Sequence, residues 1–130
     1  MKIELSEKEI NKISILGLAH VGDAIYELMV RTYLCTHDVT GAHNLHKAAV
    51  AMVNAPYQAA AAEKLLPMLT EDELSVYKRG RNAKVNSIPQ KATVGEYHSA
   101  TGLEALFGRL YLSGQTGRLE ELFGIITDEH

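Results

Sequence analysis

The chain has 130 residues, of which 46% are hydrophobic, with a formal net charge of −3 and a single cysteine. This length suits one domain with its own core, and no apolar stretch approaches the length of a membrane span, so we expect no membrane association. The first residues lack the pattern of a secretory signal and Cys35 cannot form an internal disulfide. These features predict a cytoplasmic protein with Cys35 as a small core residue. The low net charge excludes a general attraction to nucleic acids, although charge is unevenly distributed along the chain.

Helical periodicity and capping residues recur along the whole chain, and no stretch alternates as a strand does. The first half predicts four helices: a short one capped by Ser6 that ends before Ser14, one from about Ile15 to Cys35, one from Ala42 to Val53, and one from Gln58 to Leu66. The second half predicts three: one from the Thr70 cap to Arg79 with Gly80 in the C-terminal capping position, one from Val94 or Tyr97 to Ser113, and a last one capped by Thr116. The predicted fold class is all-α, as a single compact helical domain.

The helix from Ile15 to Cys35 has two unlike faces. Apolar residues spaced by three and four predict a core-facing side, formed by Leu18, Val21, Ile25, Leu28 or Met29, and Thr32. A second stripe is polar and consists of His20, Asp23, Glu27 and Arg31. Gly22 lowers helix stability and removes a side chain beside Asp23, which indicates that something, such as a ligand, comes close there. Asp23 is therefore a candidate site residue, although a lone aspartate on a helix is more often an ordinary surface residue.

A second acidic position lies in the helix that contains Thr101 to Gly108. Its apolar residues predict a core-facing side, while Glu104 shares another face with small residues. Two carboxylates from two helices of one core can converge on a hard divalent cation, because Mg²⁺ takes one or two carboxylates and keeps water and phosphate oxygens as its other ligands. We therefore expect Asp23 and Glu104 to hold Mg²⁺, with Mn²⁺ able to substitute.

Positive charge is concentrated between residues 78 and 95, where no acidic residue occurs. The stretch from Arg81 to Gln90 lacks helical periodicity and predicts a loop, and long loops in compact domains are often functional. The candidate RNA-binding residues of this basic segment are Lys78, Arg79, Arg81, Asn82, Lys84 and Lys91. The alternative interpretation is a solvated basic turn without a ligand.

Four motifs in this order and spacing resemble the ribonuclease III family, and most closely its compact bacterial Mini-ribonuclease III group. They are His20-Val21-Gly22-Asp23-Ala24-Ile25, the helix from Leu45 to Val53, Arg79-Gly80-Arg81-Asn82-Ala83-Lys84, and Ser99-Ala100-Thr101-Gly102-Leu103-Glu104-Ala105-Leu106-Phe107-Gly108. The resemblance spans nearly the whole chain. Each motif alone is weak, but the four together are specific.

The resemblance implies a magnesium-dependent endonuclease that cuts double-stranded RNA and works as a homodimer. In the family, the positions of Asp23 and Glu104 hold the metal, which polarises the scissile phosphate and activates water for in-line attack. The resemblance also implies that the dimer interface lies near Val21, Ile25 and Leu28. It further implies maturation of the precursor of 23S ribosomal RNA, with a ribosomal protein of the pre-ribosomal particle as a possible additional partner.

The chain departs from the longer members of the family in two respects. Two further acids of their metal site correspond here to Ala19 and Thr101, which leaves more of the coordination to water or phosphate. The sequence ends at His130, so we expect residues 1–130 to form a catalytic domain with no separate double-stranded-RNA-binding domain. RNA would then be held by the catalytic domain itself, with the basic segment as the candidate surface.

Two other functions remain open from the residues alone. His37-Asp38 is the dipeptide of HD-type metal-dependent phosphohydrolases, with His20 and His43 as conceivable further ligands, but aspartate is common in turns for backbone reasons. A non-catalytic helical RNA-binding module is the third candidate, because Ala19 and Thr101 replace acids of the longer enzymes. Cleavage of duplex RNA in magnesium distinguishes the nuclease from both alternatives.

Overall fold

The computed structural model describes residues 3–84 and 92–128, so Lys91 and residues 85–90 of the predicted loop lie outside the described residues. The regular structure of the described residues is helical: α1 Glu7–Ile10, α2 Ile15–Cys35, α3 Ala42–Val53, α4 Ala55–Leu65, a 3₁₀ helix Leu66–Met68, α5 Glu71–Arg81, α6 Val94–Leu112 and α7 Thr116–Ile126. The all-α fold class is confirmed. In this part of the chain, no helix combines the length and apolarity that crossing a bilayer demands.

Side-chain caps fix where most of these helices begin. Capping boxes start α1 at Ser6, α5 at Thr70 and α6 at Thr93. Between α3 and α4, the side-chain oxygen of Asn54 accepts a hydrogen bond from the backbone N–H of Tyr57 at 2.8 Å. Because Asn54 provides this cap and Pro56 suits a first helical turn, α4 begins at Ala55 rather than at Gln58. The last helix is preceded by Gln115, so Thr116 is its first residue and not its cap.

The prediction that α5 ends at Arg79 with Gly80 as its C-terminal cap is wrong. The helix continues to Arg81, and Gly80 is buried against α6. A β-carbon at Gly80 would lie 2.9 Å from the Cα atom of Gly102 and 3.1 Å from the carbonyl oxygen of Thr101. The glycine is therefore needed for close helix packing rather than for a turn. As a consequence, Arg81, which was predicted to begin the loop, lies on the last turn of the helix together with Lys78 and Arg79.

The core-facing side of α2 also differs from the prediction. The buried residues of α2 are Leu18, Ala19, Gly22, Tyr26, Val30 and Leu34. Tyr26 can be fully buried because its hydroxyl donates a hydrogen bond to the carbonyl oxygen of Met52 at 2.7 Å. Leu28, by contrast, is 60% exposed. Cys35 is exposed at the end of α2, so its predicted place in the core is wrong too.

Helices α2 and α6 cross in direct backbone contact at two glycines. A β-carbon at Gly22 would lie 1.6 Å from the carbonyl oxygen of Glu104, and one at Gly108 would lie 1.9 Å from the carbonyl oxygen of Leu18. Neither position can accept a side chain without separation of the helices. The sequence correctly predicted a close approach at Gly22, but the approaching group is α6 and not a ligand.

We predict that Gly22→Ala destabilises the protein by about 3 kcal/mol or more, because its methyl group would overlap backbone atoms of α6. Gly117→Ala is the matched control, since Gly117 is also helical and a β-carbon there meets no atom within 4 Å. The control should gain up to about 1 kcal/mol from helix propensity. Urea unfolding of both variants measures the difference. Equal stabilities would contradict the packing role of Gly22.

Candidate active site

The two candidate carboxylates come from α2 and α6 and lie together where these helices cross. Asp23 follows Gly22, whose backbone contacts the backbone of Glu104 itself. The side chains of Asp23 and Glu104 are within hydrogen-bonding range of each other. Asp23 is exposed to solvent, whereas Glu104 is mostly buried. The structure therefore brings the two predicted metal ligands together, and their role in catalysis stays a prediction.

The Glu104 carboxyl group lies in an environment that disfavours its charged form. Burial, followed by the charge of Asp23 and the hydrogen bond to it, raises its pKa from the usual value of 4.5 to about 8. The side-chain amide of Gln58 acts in the opposite direction by donating a hydrogen bond to Glu104. A bound cation would stabilise the ionised form, because its positive charge would offset the repulsion between the two carboxylates.

Gln58 belongs to this site, although the sequence analysis did not identify it. It lies on α4 with only 2% of its surface exposed. Its Nε2 donates to the carbonyl oxygen of Val53 at 2.9 Å and to Oε2 of Glu104 at 3.4 Å. Its Oε1 is buried and has no hydrogen-bond partner among the described residues. The sequence did contain a signal for it: Gln58 is the one polar residue on the buried face of α4, which otherwise consists of Ala61, Ala62 and Leu65.

A cleft of about 660 Å³ opens beside Glu104, between α3, α4 and the first half of α6. Its walls are mostly apolar, and Gln58, Thr101 and Tyr97 are among its lining residues. The hydroxyl of Thr101 donates to the carbonyl oxygen of Tyr97 at 3.1 Å. This cleft gives Glu104 access to solvent on the side away from the core.

The donor set of the site suits a cation that keeps much of its hydration. Ala19 is buried and has no donor atom, and the hydroxyl of Thr101 is already bonded to the backbone. Within residues 3–84 and 92–128, no three or more His, Cys, Asp or Glu side chains group as a metal site. The two carboxylates are hard oxygen donors, which fits Mg²⁺ with water or phosphate oxygens as the remaining ligands, and among the described residues the buried Oε1 of Gln58 is a free acceptor beside them.

Five of the six candidate RNA-binding residues lie at the C-terminal end of α5 or just after it. Lys78, Arg79, Asn82 and Lys84 are exposed, and Arg81 is half-buried with its guanidinium 5.8 Å from the centre of the Tyr77 ring. Since Gly80 contacts Thr101 and Gly102, this basic end borders the turn of α6 that precedes Glu104. The sixth residue, Lys91, lies outside the described residues.

The His37-Asp38 pair has the geometry of a turn and not of a metal site. Asp38 has a φ of +65°, a left-handed conformation that aspartate tolerates. The His37 ring stacks on the Tyr33 ring at 4.0 Å, and its Nδ1 lies 2.7 Å from the carbonyl oxygen of Tyr33. No metal-binding group of three side chains includes these residues in the described part of the chain. The HD-type phosphohydrolase interpretation therefore has no structural support.

We predict that the metal-free protein loses stability relative to Glu104→Gln as the pH rises from about 5 to about 8. Because the pKa of Glu104 is raised in the folded state, the folded protein holds a proton that the unfolded chain releases near pH 4.5. The stabilisation is complete below the unfolded pKa and is lost as the pH approaches the folded pKa. Thermal unfolding in EDTA at several pH values measures this effect. A constant difference between the two proteins would contradict the raised pKa.

Comparisons with known proteins identify the family of the chain. The model of the Ribonuclease III domain matches residues 16–115. Mini-ribonuclease 3 of Symbiobacterium thermophilum is 45% identical over 113 residues, which cover 87% of each chain. Mini-ribonuclease 3 of Enterococcus faecalis is 44% identical over 117 residues, covering 88% of this chain and 89% of that protein. The crystal structure of protein FN1578 from Fusobacterium nucleatum aligns with a TM-score of 0.84 at 34% identity, over 92% of this chain and 96% of that one. The chain therefore belongs to the ribonuclease III family and, within it, to the Mini-ribonuclease III group.

Proposed function

We propose that Asp23 and Glu104 hold the divalent cation with which this chain cleaves double-stranded RNA. The cation that we propose is Mg²⁺, and Mn²⁺ can substitute for it. Membership of the ribonuclease III family makes the chain a double-strand-specific endoribonuclease, a hydrolase of phosphodiester bonds. The single observation that supports these two residues is their adjacency where α2 and α6 cross, because Asp23 follows Gly22 and the backbone of Gly22 contacts that of Glu104. The cytoplasm is the compartment that we propose for this activity.

When bound, the cation would polarise the scissile phosphate and lower the pKa of a coordinated water. Asp23 presents its carboxylate from the solvent side, where the RNA backbone can approach. Glu104 lies deeper in the cleft and must release its proton before it can bind a cation, since its pKa is raised to about 8. Cleavage should therefore become faster as the pH rises toward the pKa of Glu104.

We predict that Asp23→Asn and Glu104→Gln each lower the cleavage rate by at least about 100-fold while duplex binding persists, because they remove charge but keep shape. Glu63→Gln is the control, since Glu63 is an exposed acid on α4 away from the pair. The measurement is cleavage of a long RNA duplex in Mg²⁺, with circular dichroism to match helicity. Near-wild-type cleavage by either variant would refute the assignment. Binding without cleavage by the unmodified protein would instead favour the non-catalytic RNA-binding module.

We propose that the basic end of α5, together with the residues that follow it, holds the RNA. The exposed cations Lys78, Arg79 and Lys84 and the half-buried Arg81 support this assignment, as does the position of Gly80 against the α6 turn before Glu104. Cations at the C-terminal end of a helix are also stabilised by its dipole, so their clustering alone does not require RNA. Asn82 adds a neutral donor, and Lys91 completes the candidate set in sequence.

We predict that Arg81→Ala combined with Lys84→Ala weakens duplex binding several-fold and reduces its salt dependence, because fewer counterions are released per bound protein. Lys8→Ala combined with Lys12→Ala is the charge-matched control, since both lysines are exposed and lie outside the basic segment, in and just after α1. The affinity is measured as a function of salt concentration, using Asp23→Asn protein to prevent cleavage. If both double variants bind alike and with the same slope, the RNA surface lies elsewhere.

We also propose that the chain works as a homodimer. An apolar groove of about 500 Å³ lies between α2 and α7, and its lining includes Ile25, Leu28, Met29 and Phe123. Leu28 is 60% exposed in this groove, which is unusual for a leucine next to other apolar groups. A two-fold dimer would supply two sites, one for each strand of an A-form duplex. Val21, the third interface residue that the family resemblance implies, is half-buried and lies on the same helix as Ile25 and Leu28.

We predict that Leu28→Glu converts a dimer to a monomer, because the carboxylate would have to be buried in an apolar interface. Val94→Glu is the matched control, since Val94 is 59% exposed but lies on α6, outside the groove. Sedimentation velocity at several protein concentrations gives the mass of each variant. A wild-type protein that sediments as a fully active monomer would rule out the dimer.

The physiological substrate that we propose is the precursor of 23S ribosomal RNA, with a ribosomal protein of the pre-ribosomal particle as a further partner. The resemblance to the Mini-ribonuclease III group supports this substrate and this partner. Incubating precursor transcripts with the protein, alone and with ribosomal proteins, and mapping the new ends tests the proposal. Random cutting in every case would argue against it.

A further inference from the structure

Gln58 is a buried polar residue that contacts the proposed cation site and leaves one of its own atoms unpaired. The amide orientation follows from its neighbours. The carbonyl oxygen of Val53 and the carboxylate of Glu104 are both acceptors, so the group that faces them is the Nε2 donor. Oε1 is therefore the atom that remains, and it is buried without a hydrogen-bond partner in the described part of the chain.

A buried acceptor without a partner is costly, and folded proteins rarely retain one without a reason. Gln58 lines the same cleft as Glu104, and its other amide atom already contacts that carboxylate. A group that binds between Asp23 and Glu104 would therefore come close to the amide of Gln58. A hydrated cation has the required chemistry, because each water molecule that it binds is a polarised hydrogen-bond donor.

On the basis of the proposed cation site, we propose that Gln58 is its positioning residue: Nε2 orients Glu104, while Oε1 accepts a hydrogen bond from a water molecule of the cation's hydration shell. This role offsets in part the absence of acids at Ala19 and Thr101. A neutral amide supports a hydrated cation without adding a third negative charge beside Asp23 and Glu104. Gln58 also links the end of α3 to the site on α6, because its Nε2 donates a hydrogen bond to the carbonyl oxygen of Val53.

A purely structural role predicts something different. If Gln58 only satisfied the carbonyl oxygen of Val53 at the end of α3, its loss would lower stability without changing cation affinity at matched folding. The two roles are therefore separated by cation binding measured without RNA. Gln58→Met keeps the length of the side chain and removes both polar atoms. Lys64→Met is the matched control on α4, since Lys64 donates to the carbonyl oxygen of Ile126 at 3.2 Å, away from the site.

The experiment is a titration with Mn²⁺ followed by electron paramagnetic resonance, applied to the wild type, Asp23→Asn, Gln58→Met, Gln58→Glu and Lys64→Met. We expect Gln58→Met to bind Mn²⁺ roughly tenfold more weakly than the wild type, as is usual when a group that supports a metal ligand is lost. Lys64→Met should bind like the wild type. Gln58→Glu should bind at least as tightly as the wild type, because it keeps an oxygen toward the cation and its added negative charge compensates for the lost Nε2 donor. As a second readout, cleavage by Gln58→Met should recover as the Mg²⁺ concentration is raised.

The outcomes distinguish this inference from the cation site on which it rests. Wild-type protein that binds no Mn²⁺, or Asp23→Asn that binds like the wild type, would overturn both. Wild-type affinity in Gln58→Met, with binding lost in Asp23→Asn, would overturn the role of Gln58 alone. If Gln58→Met does not fold, Gln58→Glu decides: affinity at or above the wild type supports the role, and a loss comparable to Asp23→Asn overturns it.

Discussion

The backbone contact between α2 and α6 at Gly22 and Gly108 is the constraint on which the rest of the structure depends. Each glycine lies against a carbonyl oxygen of the opposite helix, so a side chain at either position would force the helices apart. The same contact places Asp23 beside Glu104, because Asp23 follows Gly22 and the carbonyl group at the crossing belongs to Glu104. Core packing and the candidate cation site therefore depend on one local geometry, and a change that loosens the crossing would disturb both.

Two glutamates with little exposure illustrate how the fold assigns different roles to the same side chain. Glu73 accepts two hydrogen bonds from the Arg118 guanidinium on α7, and this partner lowers its pKa. Glu104 is mostly buried, lies beside the charge of Asp23, and accepts only one long hydrogen bond from the Gln58 amide, so its pKa is raised. The first pair is a structural ion pair between α5 and α7. The second carboxylate lacks a cationic partner in the described residues, and an environment of that kind is typical of a functional site.

Local signals in the sequence predicted the helices well, and tertiary contacts account for the errors. The bounds of α2 and α3 agree with the prediction because capping residues and turn residues flank them. Gly80 was assigned to a helix end because a glycine after basic residues is typical of a C-terminal cap, whereas α6 requires it inside the helix. Gln58 was overlooked because its importance comes from Glu104, which lies 46 residues further along the chain. Of the candidate site, the carboxylates were predictable and the residue that contacts Glu104 was not.

The error in the core-facing side of α2 has a physical reason that bears on assembly. This helix carries apolar residues around more of its circumference than one core can bury: Tyr26 and Val30 are buried, with the Tyr26 ring against Phe107 of α6, whereas Ile25 and Leu28 line the outer groove. A periodicity analysis selects the more hydrophobic of two such stripes, which here is the outer one. Leu28 lies five residues after Asp23, or about 7.5 Å along the helix axis. If a second copy of the chain bound in the groove, its Asp23 would be held at a fixed position relative to Asp23 of the first copy. The reason is that the apolar contact and the proposed metal ligand belong to the same rigid helix.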